Sequence, residues 1–573
     1  MQRFSDEIRA ALARHTTLAL DEIRLERPRD PSLGDLAFPC FPLARALKQA
    51  PPAIAGDLAA RLTPELADVE VTATGPYLNF RIARAPLAAE VFARITEAGD
   101  AWGGSRRGAG RTVVIDYSSP NIAKPMHVGH LRSTILGAAL MRLFEAQGYR
   151  TVGINHIGDW GSQFGGLVVA IRRWRGEVDL EQDPVRGLLE LYQRSKAAAA
   201  DDPAFADEAR AAWRELERGD EGEVRELWRW VTQVSLAAFA RTYARLGIRH
   251  DLVRGESHYE PMLDATVARI AAAGVTEESD GALIVALGDV DKGLKETPCL
   301  LRQGDGTTLY ATRDLAAAFS RWEEFAFERC LYVVGAEQKL HFRQLKAVLQ
   351  RLELEWEPRV EHVDFGLLLG PGRVKLASRK GTVLILDELL DEVVGEARAV
   401  IEAKNPALAD KDAVAEAVGI GALVFNDLKR ERIKDVLFDR AEILSFEGDT
   451  GPYVQFTHAR LASILRKAEA SGDAGLAAEP DLAQLESAGA ILVALGRLPD
   501  VVSSAADRAE PSELAQYLLA LAREVSGWLS APENKVLAAE PALGAARLAL
   551  VRAAKCTLAN GLRLLGVNAP EEM

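Results

Sequence analysis

Residues 112–119, TVVIDYSS, form a short β-branched run of the kind that fills a buried parallel strand. An irregular loop follows, PNIAKPMHVGH, and then LRSTILGAALMRLFEAQGY, whose apolar residues recur at helical spacing up to Gly148. The next segment, TVGINHIGDWG, reads again as strand and loop. Strand, loop, long helix and strand is the grammar of a doubly wound nucleotide-binding fold, and it restricts the chain more than any other feature.

The remaining segments are placed around that unit. Later strand candidates are GALIVAL (281–287), RCLYVVG (329–335) and TVLILDELL (382–390). Residues 167–246 are rich in Ala, Arg, Glu and Trp at helical spacing, and 176–247 reads as a helical insertion. Before the core, 45–62 reads as a helix interrupted near Pro51 and Pro52, and GPYLNFRI (75–82) as a strand. The stretch 101–111, AWGGSRRGAGR, is a boundary loop dense in Gly and Arg. From about 387 onward nearly everything reads as helix, with breaks near Gly448 and between 471 and 480. The expected architecture is α/β. A doubly wound parallel-sheet (Rossmann-like) core with a helical insertion spans 106–440. A small α+β domain spans 1–105, and an all-helical domain spans 441–573.

Composition narrows the class. A chain of 573 residues is long enough for three or four domains and a large core. Its four cysteines, Cys40, Cys299, Cys330 and Cys556, include no Cys-x-x-Cys pair, so neither a disulfide framework nor structural zinc is expected. The N-terminal stretch is charged and amphipathic rather than leader-like, and no window approaches a membrane span. A cytoplasmic protein with reduced thiols is expected. The formal net charge of −14 neither supports nor excludes a nucleic-acid partner, because a basic groove can sit on an acidic protein.

The loop after the first core strand carries His127-Val128-Gly129-His130. At i and i+3 on a first helical turn, two imidazoles can face one ligand, and Gly129 clears the space between them. The helix N-terminus adds free N–H groups and a positive dipole end, which suits phosphate. Surface histidines or half of a metal site would give the same string. The preceding strand and following helix favour the nucleotide.

SSPNIAKPMHVGHLRSTILG resembles the "HIGH" region of class I aminoacyl-tRNA synthetases, in the form typical of the arginyl-tRNA synthetase family. The resemblance implies that this region binds ATP and that His127 and His130 contact its phosphates and ribose. The segment VKLASRKGTVLILDELL resembles the family's mobile "KMSKS" loop, with Lys375, Ser378, Arg379 and Lys380 at or beside the motif positions. Ser378 stands where the second lysine is usual. By the same resemblance Lys124, three residues before His127, replaces it, and Arg379 and Lys380 are rival sources of charge. TLYATRDLAAA resembles the amino-acid-binding segment. There Tyr310 and Asp314, four apart on one helix face, would hold the guanidinium, with Asn121, Asn155 and Gln338 completing the pocket.

The likeness extends over nearly the whole chain. Residues 30–62 resemble the family's N-terminal domain, which reads the elbow of tRNA, and 448–469 resemble the start of its helical anticodon-binding domain. Residues 445–573 hold 11 Lys and Arg against 16 Asp and Glu, so a tRNA contact there needs a local patch. Tyr453 and Phe456 are the aromatic candidates, and the run LKRERIK (428–434) is a candidate for backbone contacts. The family implies ligation of L-arginine to tRNA(Arg) through arginyl-adenylate, with ATP and Mg2+, by a monomer that needs bound tRNA for the first step. A sibling class I synthetase and a catalytically silent tRNA-binding paralogue are the competing readings.

Overall fold

The computed structural model describes residues 1–370, 373, 384–537 and 540–573. At its centre lies a five-stranded parallel sheet in the order Val360–His362, Arg329–Tyr332, Thr112–Asp116, Arg150–Asn155, Leu252–Val253. From Thr112–Asp116 the chain crosses over through the helix Val128–Ala146 to Arg150–Asn155 on one side. Much later it returns to place Arg329–Tyr332 on the other side. The winding reverses between these two neighbours, so the loops leaving them diverge and open a crevice at the carboxyl ends of the strands. Val113 and Ile115 pack into the core shared with the helix Val128–Ala146, whereas Val114 turns into the opposite core with Ile154, Leu315 and Cys330. Burial on both faces explains why this strand reads as an unbroken apolar run. Gly137 lets the helix lie on the strand end: a Cβ there would fall 2.3 Å from the Tyr117 side chain.

The N-terminal region pairs the helix Gln2–His15 with a three-stranded antiparallel sheet of Leu36–Pro39, Tyr77–Ile82 and Val69–Thr74. The predicted interruption near Pro51 is a break between two helices, Phe41–Leu47 and Pro51–Leu62, with Lys48 in the left-handed region at φ 51°. The insertion is three helices, Pro184–Asp201, Pro203–Arg218 and Glu223–Arg245. The C-terminal region is a helical bundle whose last helix, Pro541–Leu565, reaches back to the N-terminal region: the Asn560 amide donates to the carbonyl of Gly99 at 2.8 Å.

Two sequence expectations need correction, and one strand candidate lies outside the core sheet. GALIVAL supplies a strand, Ala282–Val285, but it lies in a separate antiparallel sheet with Glu277–Ser279 and Cys299–Arg302. The described part of TVLILDELL, 384–390, is not a strand. Within it only Ile385 makes a bridge, and the helix Leu386–Lys404 begins at the next residue. Its apolar residues Leu386, Leu389, Leu390 and Val393 follow a helical period, and Asp387 and Glu388 suit a helix N-terminus. The stretch Leu482–Asp507, with mean hydropathy 1.3, does reach the length and composition of a membrane span. It is nonetheless split into Leu482–Ala488, Gly489–Leu495 and Leu498–Asp507, and 61% of the apolar window is buried within the bundle, as a core segment would be.

One buried charge pair anchors the sheet beneath the crevice. Arg321 on the helix Tyr310–Phe325 is 0% exposed and donates to Asp116 at 2.7 Å, at the carboxyl end of the central strand. Its Nε and Nη1 atoms, the hydroxyls of Tyr332 and Tyr259, and Nδ1 of His156 are buried without hydrogen-bond partners.

Candidate active site

The loop between the central strand and the histidines is built from strained backbone. Ser118, Ser119 and Ala123 sit at φ 75°, 53° and 63°, a region that disfavours side-chain-bearing residues by roughly 1–2 kcal/mol each. A side chain from elsewhere holds each of them. The Ser118 N–H donates to Ser133 Oγ at 2.9 Å, and its hydroxyl bonds Thr134 and Tyr243, each at 2.7 Å. The Ser119 N–H donates to Asn155 Oδ1 at 3.1 Å, and the Ala123 N–H to Ser235 Oγ at 2.9 Å. Tyr243 and Ser235 belong to the helix Glu223–Arg245 of the insertion, so the least distinctive part of the sequence fixes the most distinctive loop. Asn155 donates its other amide atom to Tyr243 at 3.1 Å and is 1% exposed. Each of its two amide heavy atoms thereby holds the loop. Asn121 is exposed on the same loop, bridged to Gly158; a Cβ at Gly158 would lie 1.9 Å from its Oδ1.

His127 caps the helix Val128–Ala146, and its Nδ1 accepts the Gly129 N–H at 3.0 Å. His130 accepts the His127 N–H at its own Nδ1 at 3.1 Å, and the two ring centres lie 3.9 Å apart. With each Nδ1 acting as acceptor, the proton of a neutral ring sits on Nε2. Burial, reinforced by His127 beside it, pushes the His130 pKa from 6.5 down to about 3, so that ring is neutral at physiological pH. Gly129 also has a tighter reason than open space: a Cβ there would fall 2.7 Å from the His127 ring.

A second buried imidazole, His250, stacks on Tyr117 with ring centres 4.3 Å apart, and burial pushes its pKa down to about 4. Because its folded value lies below its unfolded value, the unfolded chain binds a proton that the folded chain refuses as pH falls below 6.5. His250→Phe removes that term while keeping the ring contact. The difference in unfolding free energy between variant and wild type is expected to move by about 1.5 kcal/mol in favour of the variant from pH 6.5 to pH 5. Chemical denaturation at the two pH values measures it, and a constant difference would contradict a neutral buried His250.

The cationic loop residues Lys375, Ser378, Arg379 and Lys380 lie outside the described residues. The chain after them docks directly on the histidine turn. His127 bridges Ile385, the Val128 N–H donates to the Leu384 carbonyl at 3.1 Å, and the Leu386 N–H to Met126 at 2.9 Å. On the other flank, the Lys124 ammonium stands 4.2 Å from the centre of the Tyr192 ring.

Across the crevice, Tyr310 opens the helix Tyr310–Phe325 and is 67% exposed, with Asp314 one turn later. Asp314 is bonded by His341 Nε2 at 2.5 Å. Burial alone would raise its pKa, but that bond and the charges of His156, His341 and Arg321 hold it below the ordinary range, so it stays ionised. Gln338 is exposed in the short turn Ala336–Gln338 that follows the strand Arg329–Tyr332, three residues before His341. Sequence reasoning missed His341 and also Glu256. Burial pushes the Glu256 carboxyl up to about 7, with Asp159, Asp314 and Glu260 adding to the rise. Several carboxylates sharing one partly desolvated wall, with Arg313 4.0 Å from Glu256, make a place that favours a further cation.

The candidate tRNA residues separate. The Tyr453 hydroxyl donates to the Ala522 carbonyl at 3.4 Å and its ring packs against the core. Phe456 is 46% exposed and borders a cavity of about 550 Å³ with Arg460, Arg466, Lys467 and Lys535. The run at 428–434 is largely consumed within the fold. Lys429 donates to the Asp449 carbonyl at 2.7 Å and Arg432 to Asp364 at 2.6 Å, so the phosphate contacts expected of it are not on offer from these two.

Residues 98–440 match the family model described as tRNA synthetases class I (R), catalytic domain. Residues 454–573 match the DALR anticodon binding domain, and 2–82 the arginyl tRNA synthetase N terminal domain. The chain is 41% identical over 572 residues to an arginine–tRNA ligase of Exiguobacterium sp., covering 100% of this chain and 99% of the relative. It is 43% identical to the arginine–tRNA ligase of Streptococcus pneumoniae (strain CGSP14), over 96% and 95% of the two chains. The solved arginyl-tRNA synthetase of Thermus thermophilus superposes with a TM-score of 0.83 at 30% identity, each chain covered completely. The Plasmodium falciparum arginyl-tRNA synthetase shares the fold, with a TM-score of 0.78 at 22% identity over 100% and 98% of the chains.

Proposed function

Since this chain belongs to the arginyl-tRNA synthetase family of class I and charges tRNA with arginine, we propose how its own residues carry out that reaction. In the first step an oxygen of the arginine carboxylate attacks the α-phosphorus of ATP. The α–β bridging bond breaks, and pyrophosphate leaves with the electron pair. The nucleophile is already ionised at neutral pH, so no protein base is needed and catalysis consists of positioning and charge stabilisation. The Nε2–H groups of His127 and His130, with the helix N-terminus and Gly129 between them, bind the ATP phosphates and ribose. Lys124 and the loop cations Lys375, Arg379 and Lys380, beside Ser378, neutralise the departing pyrophosphate.

Asp314, Tyr310, Gln338 and Asn121 hold the guanidinium and α-amino ends of arginine, with Glu256 as a second carboxylate. Asn155 serves them by fixing the loop. In the second step the hydroxyl of the terminal tRNA ribose attacks the adenylate carbonyl and AMP leaves, the hydroxyl proton passing to the departing phosphate, with tRNA already bound during the first. Among the described residues no three His, Cys, Asp or Glu side chains cluster as a metal cage. Mg2+ would enter together with ATP, as part of the substrate, and would add to the charge neutralisation. We divide the chain into a tRNA-elbow domain at 1–105, a catalytic domain at 106–440 and an anticodon-binding domain at 441–573, and read it as a cytoplasmic monomer.

The observation that carries this reading is the histidine pair at a helix N-terminus, with His130 held neutral by burial, facing an ionised Asp314 across the topological switch point. ATP–pyrophosphate exchange tests it. Exchange is expected with arginine, alone of the twenty amino acids, and only in the presence of tRNA; exchange with another amino acid would overturn it. For the tRNA end, Phe456→Ala is expected to raise the KM for tRNA about tenfold, since stacking on one base is worth about 1–3 kcal/mol. Exchange at saturating tRNA should be unchanged. An unaltered KM would remove Phe456 from the interface.

A further inference from the structure

Lys124 shares its aromatic partner with a second lysine. The ammonium of Lys196 lies 5.0 Å from the centre of the same Tyr192 ring that Lys124 approaches at 4.2 Å. Tyr192 and Lys196 stand four residues apart on the insertion helix Pro184–Asp201, hence on one face. Other cations of that helix are matched with acids: Arg194 meets Glu177 at 2.9 Å and Glu190 at 2.5 Å, and Arg186 meets Glu388. Among the described residues neither Lys124 nor Lys196 has a carboxylate within ion-pair distance. Burial raises the Tyr192 phenol, yet its bonds and charge contacts with Lys196 and Lys124 bring it below its ordinary range. Two ammoniums converging on one ring without an anion repel each other, an arrangement that becomes favourable when a multiply charged anion bridges them.

We propose that Lys196 binds the pyrophosphate moiety of ATP together with Lys124, and that the Tyr192 ring positions both ammoniums. This deepens the reading above and rests on Lys124 lying on the ATP side. A pyrophosphate leaving group fits better than a single tRNA phosphate because it presents enough charge to engage two compact cations at once. The insertion thereby contributes charge to a site where Ser378 replaces the usual motif lysine.

The test uses the full-length enzyme and inorganic pyrophosphate, by titration calorimetry and by the KM for pyrophosphate in exchange with tRNA present. Lys196→Gln is expected to weaken pyrophosphate about tenfold, as loss of one charged hydrogen bond would, with the KM for arginine unchanged. Lys196→Arg should restore most of it, because the charge returns. Tyr192→Leu, which removes the ring and its hydroxyl together, should lose about as much as Lys196→Gln. Unchanged pyrophosphate binding in Lys196→Gln, or a rise confined to the KM for tRNA, would overturn the proposal. The Lys124 reading fails separately, if Lys124→Ala leaves exchange intact. Weakened pyrophosphate in Lys196→Gln together with an inert Lys124→Ala would overturn the shared clamp in favour of a lone Lys196 contact.

Discussion

Lys124→Ala is expected to abolish arginyl-adenylate formation while leaving the fold intact. Loss of one preorganised group that stabilises developing charge typically lowers a rate about 10²–10³-fold, and Lys124 is the described lysine nearest the histidine pair in sequence. Its structural share is small: contact with the Tyr192 ring at 4.2 Å is worth about 0.5–1 kcal/mol, against a typical total stability of about 5–15 kcal/mol. The strained Ala123 beside it keeps its own bond to Ser235, so the loop should hold its shape without the lysine side chain. Exchange kinetics read the catalytic loss, and calorimetric unfolding checks the fold. A rate within about threefold of wild type would transfer the role to Arg379 or Lys380. Lys124→Arg should recover part of the rate, since charge returns in a broader, less compact group.

The sequence made the local half of this site readable, because the relevant relations are local. His127, Gly129 and His130 are neighbours, and the strand before them and helix after them follow from periodicity. Tyr310 and Asp314 are one helical turn apart. What the sequence concealed is what long-range packing decides. Nothing near residue 235 or 243 announces that Ser235 and Tyr243 hold a strained loop more than a hundred positions earlier. Glu256 and His341 look like ordinary surface residues until folding brings them to Asp314. The misread segment at 382–390 failed for another reason. A short apolar run fits strand and helix alike, and in its described part the acids at 387 and 388 tipped it to helix. Lys429 and Arg432 likewise read as a phosphate-binding run only while their partners Asp449 and Asp364 are out of view.

Asp314→Asn should raise the KM for arginine far more than that for ATP. The carboxylate is ionised, largely desolvated and already holds His341, so its remaining lone pairs are directed and poorly screened. Truncating one side of such a charge pair costs about 2–5 kcal/mol, and at the lower middle of that range the arginine KM rises about 10²-fold. With ATP placed on the histidine side of the crevice, as proposed above, its KM should move by no more than about threefold. Equal effects on both substrates would remove Asp314 from the arginine pocket. A pH series separates it from its neighbour. Asp314, held low, should contribute no titration between pH 6 and 8, whereas Glu256, pushed up to about 7 by burial, gains a proton as pH falls through that value. A protonated Glu256 no longer attracts a guanidinium, so the arginine KM of the wild type should rise as pH falls below 7. Glu256→Gln should flatten that rise, and Asp314→Asn should keep it on a higher baseline. The reverse pattern would exchange the roles of the two carboxylates.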